Sequence, residues 1–295
     1  MKIVLTGASG FIGARLRAHL TAQGHELVCL SRRAAAQPGW YAWDPESGPP
    51  PQAALLGAGA VIHLAGEPVA QRWNAEVKRR ILSSRVQGTH SLVHALGAMP
   101  VRPGVLVCAS AIGYYGSRGD EILPESAAPG GDFLSEVCSA WERAAQAAAE
   151  LGLRVVSPRI GVVLDPAGGA LAQMLPPFRV GLGGPIAGGQ AWTSWIHLND
   201  LVRLIAWSVE HPALAGPVNA VAPNPVRNET FTRALGAALH RPAFFPVPAL
   251  ALKLLYGEMA GIVLASLRVA PERAVQSGFQ FNWPDLGPAL RDLLR

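Results

Sequence analysis

Apolar and polar positions follow two rhythms along this chain. Residues 2–6 form a short, continuous β-branched run of the kind seen in buried parallel strands. A glycine-rich stretch follows, and 14–22 then carries apolar positions at helical spacing up to Gly24. Further short apolar runs at 26–31, 60–65, 105–110 and 154–164 predict strands. Helical patterns lie between them at 133–151 and over a long segment reaching about Leu96, with Asn74 as its cap. The Pro- and Gly-rich stretch 34–51 predicts a loop with a short strand at 40–43. Strand and helix alternate, which predicts an α/β fold with a doubly wound, Rossmann-type parallel sheet. Beyond Pro166 the rhythm loosens: 218–222 rejoins the sheet, while 249–267 and 286–294 predict helices of a smaller C-terminal region.

Composition narrows the possibilities. Hydrophobic residues make up 50% and charged residues 15% of the 295, against about 25% charged in ordinary globular domains. A large core is therefore available, and disorder is excluded as the main state. The net charge of +5 is spread out, and the densest basic run is Lys78-Arg79-Arg80. Nucleic-acid binders gather such charge on one face, so no nucleic-acid partner is expected; an anionic small molecule fits better. Cys29, Cys108 and Cys138 are odd in number and far apart, with no CxxC spacing, which argues against both a disulfide framework and a cysteine zinc site. The first apolar stretch is broken by Gly7, Ser9 and Gly10 instead of forming an export signal, so a cytoplasmic location is expected. No apolar run reaches the roughly 18 residues of a membrane span, and no membrane partner is expected.

Gly7-Ala-Ser-Gly10-Phe11-Ile12-Gly13 has GxxGxxG spacing between a predicted strand and a predicted helix. That context suits a dinucleotide pyrophosphate: glycines let the backbone approach, and free N–H groups at the helix start face the anion. About 20 residues on, NAD sites place an acid on the ribose 2′-OH. Here Ser31-Arg32-Arg33 stands in that place with no acid. A hydroxyl followed by guanidinium groups suits a 2′-phosphate, so the expected cofactor is NADP(H). The competing reading is two solvated surface arginines.

These residues resemble the opening of an extended short-chain dehydrogenase/reductase. Val61-Ile-His-Leu64-Ala65-Gly66 resembles the strand end that passes the cofactor's adenosine half, Ser110-Ala-Ile-Gly-Tyr114-Tyr115-Gly116 the Ser…Tyr-Gly segment, and Trp195-Ile-His197-Leu-Asn-Asp200 a later motif. A narrower similarity runs through RWNAEVKRRILSSRVQGTH from Arg72, GGDFLSEVCSAWE from Gly130, PPFRVGLGGPIAGG from Pro176 and the tail from Arg241 to Leu290. On these motifs the chain is similar to the atypical "epimerase family protein" group, family-39U-like, whose C-terminal piece is a domain of unknown function. The resemblance implies a division into a dinucleotide-binding core (1–165), substrate-side loops with returning sheet elements (166–240) and a small helical domain (241–295). It also implies an oxidoreductase or epimerase acting on a small or sugar-like substrate. Gly7, Gly10, Phe11, Ile12, Gly13, Ser31, Arg32, Arg33, Leu64, Ala65, Gly66, Arg85 and Ile160 are the expected cofactor contacts.

The chain departs from that superfamily at its chemistry. Members carry Tyr-x-x-x-Lys on a helix, where the cation makes the phenol a competent proton donor; a free phenol titrates near 10. Here the two possible registers read Leu134/Cys138 or Cys138/Glu142, and Ala111 stands in the usual Ser position with Ser110 adjacent. Arg85 replaces the usual Asn, either approaching the nicotinamide ribose or the substrate, or lying on a helix surface. Arg159 lies at a strand end where sites form in such sheets. Any acid must come from elsewhere: Tyr114, Tyr115, Glu142 and Ser110 are the candidates, with packed tyrosines and a solvated Glu142 as the competing reading. His197 is expected to be structural, and Asp200 to cap a helix starting at Leu201. His90 and His94 sit four apart without a third ligand, so no metal is expected. The stretch 176–195 is expected to close over the substrate, with Trp192 and Trp195 as apolar wall. Without the Tyr–Lys pair, an NADP(H)-binding sensor or interaction protein with no turnover is the alternative.

Overall fold

Successive side chains of the central strands enter two different helical layers, which is why these runs are apolar at nearly every position. The computed structural model describes residues 1–33 and 37–295. It opens with β1 (Lys2–Thr6), α1 (Phe11–Ala22), β2 (Glu26–Ser31) and β3 (Trp40–Ala42). Next come α2 (Gln52–Leu55), β4 (Ala60–His63), α3 (Ala75–Gly97), β5 (Val105–Cys108) and β6 (Ser110–Ala111). Then follow β7 (Ile122–Leu123), α4 (Phe133–Gln146), β8 (Arg154–Ile160), β9 (Val162–Asp165) and α5 (Gly169–Arg179). The rest contains β10 (Trp192–Thr193), β11 (Trp195–His197), α6 (Leu198–Glu210), β12 (Gly216–Ala220), β13 (Val226–Arg227) and α7 (Asn228–Ala238). The tail contributes α8 (Ala249–Tyr256), α9 (Ala260–Leu264), β14 (Arg268–Val269), α10 (Glu272–Gln276) and α11 (Leu286–Leu293).

The main sheet runs β12-β8-β5-β4-β1-β2-β3, all parallel, with β6 also pairing β8. Ile3 and Leu5 face one layer, where Leu16 and Leu20 of α1 meet Leu201, Leu204 and Ile205 of α6. Val4, Val61 and Leu106 face the other, against Leu55 of α2, Leu92 and Leu96 of α3 and Trp141 of α4. A separate core joins Leu171, Leu175 and Phe178 of α5 to Phe231 and Leu235 of α7 and Leu290 of α11. The tail also returns to the main sheet, since Ala274 and Phe279 lie in the first layer's core.

Asn74 caps α3 as expected, its side chain accepting from Val77 N at 2.8 Å. The run 154–164 is two strands broken at Gly161, where a Cβ would sit 2.6 Å from Val221 and 2.8 Å from the Ser194 carbonyl; the chain has room to cross there only without a side chain. The stretch beginning at Pro176 is not all loop. Pro176 and Pro177 lie near the end of α5, which stops at Arg179. Trp195 is fully buried in β11, paired to β9, and lines no lid. Helix α6 starts at Leu198, one turn earlier than expected, and its cap is His197, whose Nδ1 accepts from Asn199 N at 3.1 Å. Asp200, buried, instead accepts from the backbone N–H of Asn282 and Trp283 and pairs with Arg203. Among the described residues, no helix is long and apolar enough to cross a membrane.

Gly13 is the tightest point of the motif, because a Cβ there would overlap the carbonyl oxygen of Gly7. Gly13→Ala is expected to cost about 1–3 kcal/mol or more through overpacking, read as a lower midpoint in urea unfolding.

Candidate functional site

The glycine motif is built where β1, α1 and the end of β4 converge. Thr6 ends β1, and its hydroxyl oxygen accepts from the N–H groups of both Leu64 and Ala65 at 3.1 Å. Having accepted twice, that hydroxyl donates to His63 Nδ1 at 2.7 Å. Gly7 takes φ +68°, and a Cβ there would lie 3.0 Å from the Leu64 carbonyl carbon, so at Gly7 backbone packs directly on backbone. Gly10 precedes α1 with no side-chain cap, and the first turn contains no acid. The amides of Phe11, Ile12 and Gly13 therefore form a positively polarised helix end suited to an anion. Phe11 is half-buried against Gly168 and Gly169.

Gly66 faces Arg85 of α3, and a Cβ there would meet the guanidinium carbon at 3.1 Å. Arg85 is therefore not a solvated arginine. It donates to the carbonyls of Glu67 and Ile81, lies over the Trp141 ring at 5.0 Å, and burial lowers its pKa from the ordinary value. At the end of β2, Ser31 is half-buried while Arg32 and Arg33 are exposed. The Arg33 N–H reaches Ser31 Oγ at 3.4 Å. Ile160 ends β8 and packs on both main cores.

At the sheet's C-terminal end lies a buried polar network. Arg159 donates through two nitrogens to the two carboxylate oxygens of Glu142, each at 2.8 Å, and through a third to the Tyr115 hydroxyl at 2.9 Å. Ser110 donates to Glu142 at 2.6 Å, and Tyr115 donates to Asn219 Oδ1 at 2.6 Å. Asn219 in turn donates to the carbonyls of Leu123 and Ala270. The Arg159 guanidinium lies 3.4 Å from the centre of the Tyr114 ring. Burial works against the charge of Arg159, yet its bonds to Glu142 hold its pKa above the ordinary value. Burial pushes the Tyr115 phenol up to about 12 despite Arg159 and Asn219.

All four candidate acids thus belong to one assembly. Ser110 and Glu142 are tied to each other, Tyr115 is fully buried, and Tyr114 and Glu142 are partly open. Glu142 does not lie on a solvated helix face, since its side chain is 15% exposed and paired. Tyr114 and Glu142 border a hollow of about 270 Å³ shared with Ser139, Arg143, Ser157 and Pro217. Of the residues in the two registers, Leu134 packs on Gly113, Cys138 is buried, its thiol raised to about 11 chiefly by burial, and Glu142 is the partner of Arg159. The Trp192 ring has the guanidiniums of Arg227 and Arg268 each 4.5 Å from its centre, and its N–H donates to Asp120. Among the described residues, no group of three or more His, Cys, Asp and Glu side chains gathers as a metal site.

Sequence reading missed Thr6, His63, Asn219 and Glu125. Each had one available signal: a polar or ionisable residue inside or beside an apolar run, which burial obliges to find partners. Glu125 Oε1 accepts from the backbone N–H of Asn219 and Arg273, and burial raises its pKa.

Residues 3–221 match the model of the NAD dependent epimerase/dehydratase family, and residues 247–293 match a domain of unknown function, DUF1731. The chain is 41% identical over 306 residues to the chloroplastic epimerase family protein SDR39U1 homolog of Arabidopsis thaliana, covering 100% of this chain and 87% of the relative. It is 36% identical to the epimerase family protein YfhF of Bacillus subtilis, covering 100% and 98%. The crystal structure of the human epimerase family protein SDR39U1 with NADPH superposes with a TM-score of 0.90 at 35% identity, covering 100% and 99%.

Two outcomes follow from the site's electrostatics. Arg159→Met leaves Glu142 without its cation and should cost about 3–5 kcal/mol in urea unfolding, with Glu142→Leu added recovering a large part. His63 is fully buried, and burial lowers its pKa from 6.5 to about 4. The unfolded state therefore binds the extra proton between those values. Stability is complete above pH 6.5 and falls toward pH 4, by about 3 kcal/mol from this residue. His63→Asn should flatten the stability profile over that window.

Proposed function

The chain belongs to the NAD dependent epimerase/dehydratase family, and on that premise we propose that it binds NADP(H) and works as an oxidoreductase or epimerase on a small-molecule substrate without a Tyr–Lys pair. The observation that carries this reading is the end of β2, where Ser31 precedes two exposed arginines and no carboxylate, beside a glycine cradle that a Cβ would fill. The NADPH in the human relative supports it.

The amides of Phe11, Ile12 and Gly13 would hold the pyrophosphate, and Ser31, Arg32 and Arg33 the 2′-phosphate. Leu64, Ala65 and Gly66 would pass the adenosine half, with Gly7 and Gly10 leaving room; Arg85 and Ile160 would face the nicotinamide half. When bound, the cofactor supplies or accepts a hydride at its nicotinamide ring. The chain's own groups hold their protons tightly: the Cys138 thiol stays protonated at neutral pH, and the Tyr115 hydroxyl is committed to Asn219. Arg85 would bring a half-buried positive charge to the cleft in place of a neutral amide. The site therefore suits hydride exchange whose proton passes through solvent or through the substrate's own groups. The locked Tyr115 and the apolar Leu134 also favour a second reading, an NADP(H) binder without turnover.

Fluorescence titration should give tighter binding of NADPH than of NADH. Arg32→Ala and Arg33→Ala should each weaken NADPH binding by about ten-fold or more, at roughly 1.5–3 kcal/mol per charge-assisted bond, and leave NADH unchanged. Equal affinities in the unaltered protein overturn the cofactor assignment. Turnover of aldehydes, ketones or nucleotide sugars with NADPH supports the enzyme, and its absence across such a panel favours the second reading. Turnover surviving Tyr114→Phe, Tyr115→Phe and Glu142→Gln removes those residues as acids.

A further inference from the structure

A second hollow lies on the flank of α1, away from the glycine motif. Helices α1 and α6 pack against each other and present matching i, i+3, i+4 faces to it: Arg15, Ala18 and His19 from one, Asn199, Val202 and Arg203 from the other. Asn282 and Trp283 close the third side, and the volume is about 320 Å³. No carboxylate lines it.

Asp200 fixes this geometry from below. It is buried, accepts from the backbone N–H groups of Asn282 and Trp283, and holds one nitrogen of Arg203 at 2.7 Å. Arg15 spends only Nε, on Asn199 Oδ1 at 2.9 Å. Each guanidinium carries five N–H donors, so most donors of both arginines remain, joined by the side-chain amides of Asn199 and Asn282. Donors on two helices, with no carboxylate among the lining residues, form a cradle for an anion. His19 reports the same field. Its pKa is lowered first by burial and then by Arg203, with Arg15 and His25 acting in the same direction and Glu210 opposing.

We propose that this hollow between α1 and α6 binds a phosphate-bearing small molecule, its oxygens held by Arg15 and Arg203 and its remainder lying against Trp283. A phosphate offers three oxygens to two forks at once, which a single carboxylate does not. The site shares α1 with the dinucleotide cradle but none of that cradle's residues, so ligands at the two positions do not compete.

The test uses the full chain saturated with NADPH, so that the cofactor's own phosphate positions are filled. Inorganic phosphate and a hexose 6-phosphate are titrated by calorimetry and by NMR of labelled histidine. Saturable one-to-one binding is expected, with the His19 ring signals moving and its pKa rising as the anion offsets Arg15 and Arg203. Arg15→Glu and Ala18→Glu, both on the exposed face of α1, should each weaken binding at least ten-fold while NADPH affinity is unchanged. Tighter binding of the hexose 6-phosphate identifies an ester as ligand; tighter binding of inorganic phosphate identifies the free ion, and either supports the site. The proposal is overturned if no saturable binding occurs, if NADPH displaces the probe, if His19 is unmoved, or if both variants bind as the unaltered protein does.

Discussion

Backbone meets backbone at Gly7, and the rest of the molecule is arranged around that contact. β1 and the end of β4 approach so closely there that a Cβ would touch the Leu64 carbonyl carbon, while the first turn of α1 leaves no room for one at Gly13. The Thr6 hydroxyl ties the end of β1 to the end of β4 through Leu64, Ala65 and His63. Helix α1 is thereby held with uncapped amides facing outward. Relaxing this contact would move the strand end, the helix start and the loop carrying Gly66 together, because they share one close-packed junction.

A different constraint governs the chemistry. A cation inside a strand and a carboxylate on a helix are costly to bury separately, and here they are buried as a bidentate pair with further hydrogen bonds to Ser110 and Tyr115. That pair occupies most of the polar groups near the sheet's C-terminal end. Neither register of α4, Leu134/Cys138 or Cys138/Glu142, places a phenol and an ammonium there, and Cys138 is buried with its thiol held protonated. The Arg85 guanidinium lies directly beneath Gly66.

The legibility of these features in the chain was uneven. The strands, the Asn74 cap and the glycine motif could be read because each depends on near neighbours in sequence. The break at Gly161 could not, because the obstructing atoms belong to Ser194 and Val221. Glu142 carried a usable signal: it stands four residues after Cys138 and beside Trp141, on the edge of the buried stripe of α4. Arg159, a cation near the C-terminal end of a mostly buried strand, carried the complementary one. Either alone is ambiguous; together they demand each other.

Local periodicity, turn chemistry and the spacing of glycines are properties of short segments, so the sequence by itself determined the parallel sheet, its flanking helices and the glycine turn that opens α1. It also determined that arginine, and no acid, follows β2. Partnership across the fold is another matter. Arg159 meets Glu142 across 17 residues, Tyr115 meets Asn219 across 104, and Arg15 meets Asn199 across 184. A side chain's hydrogen bond goes to whichever group packing brings within about 3 Å, and no local pattern records that. Only the tertiary structure decided which polar residues are spent on holding the molecule together and which face open space.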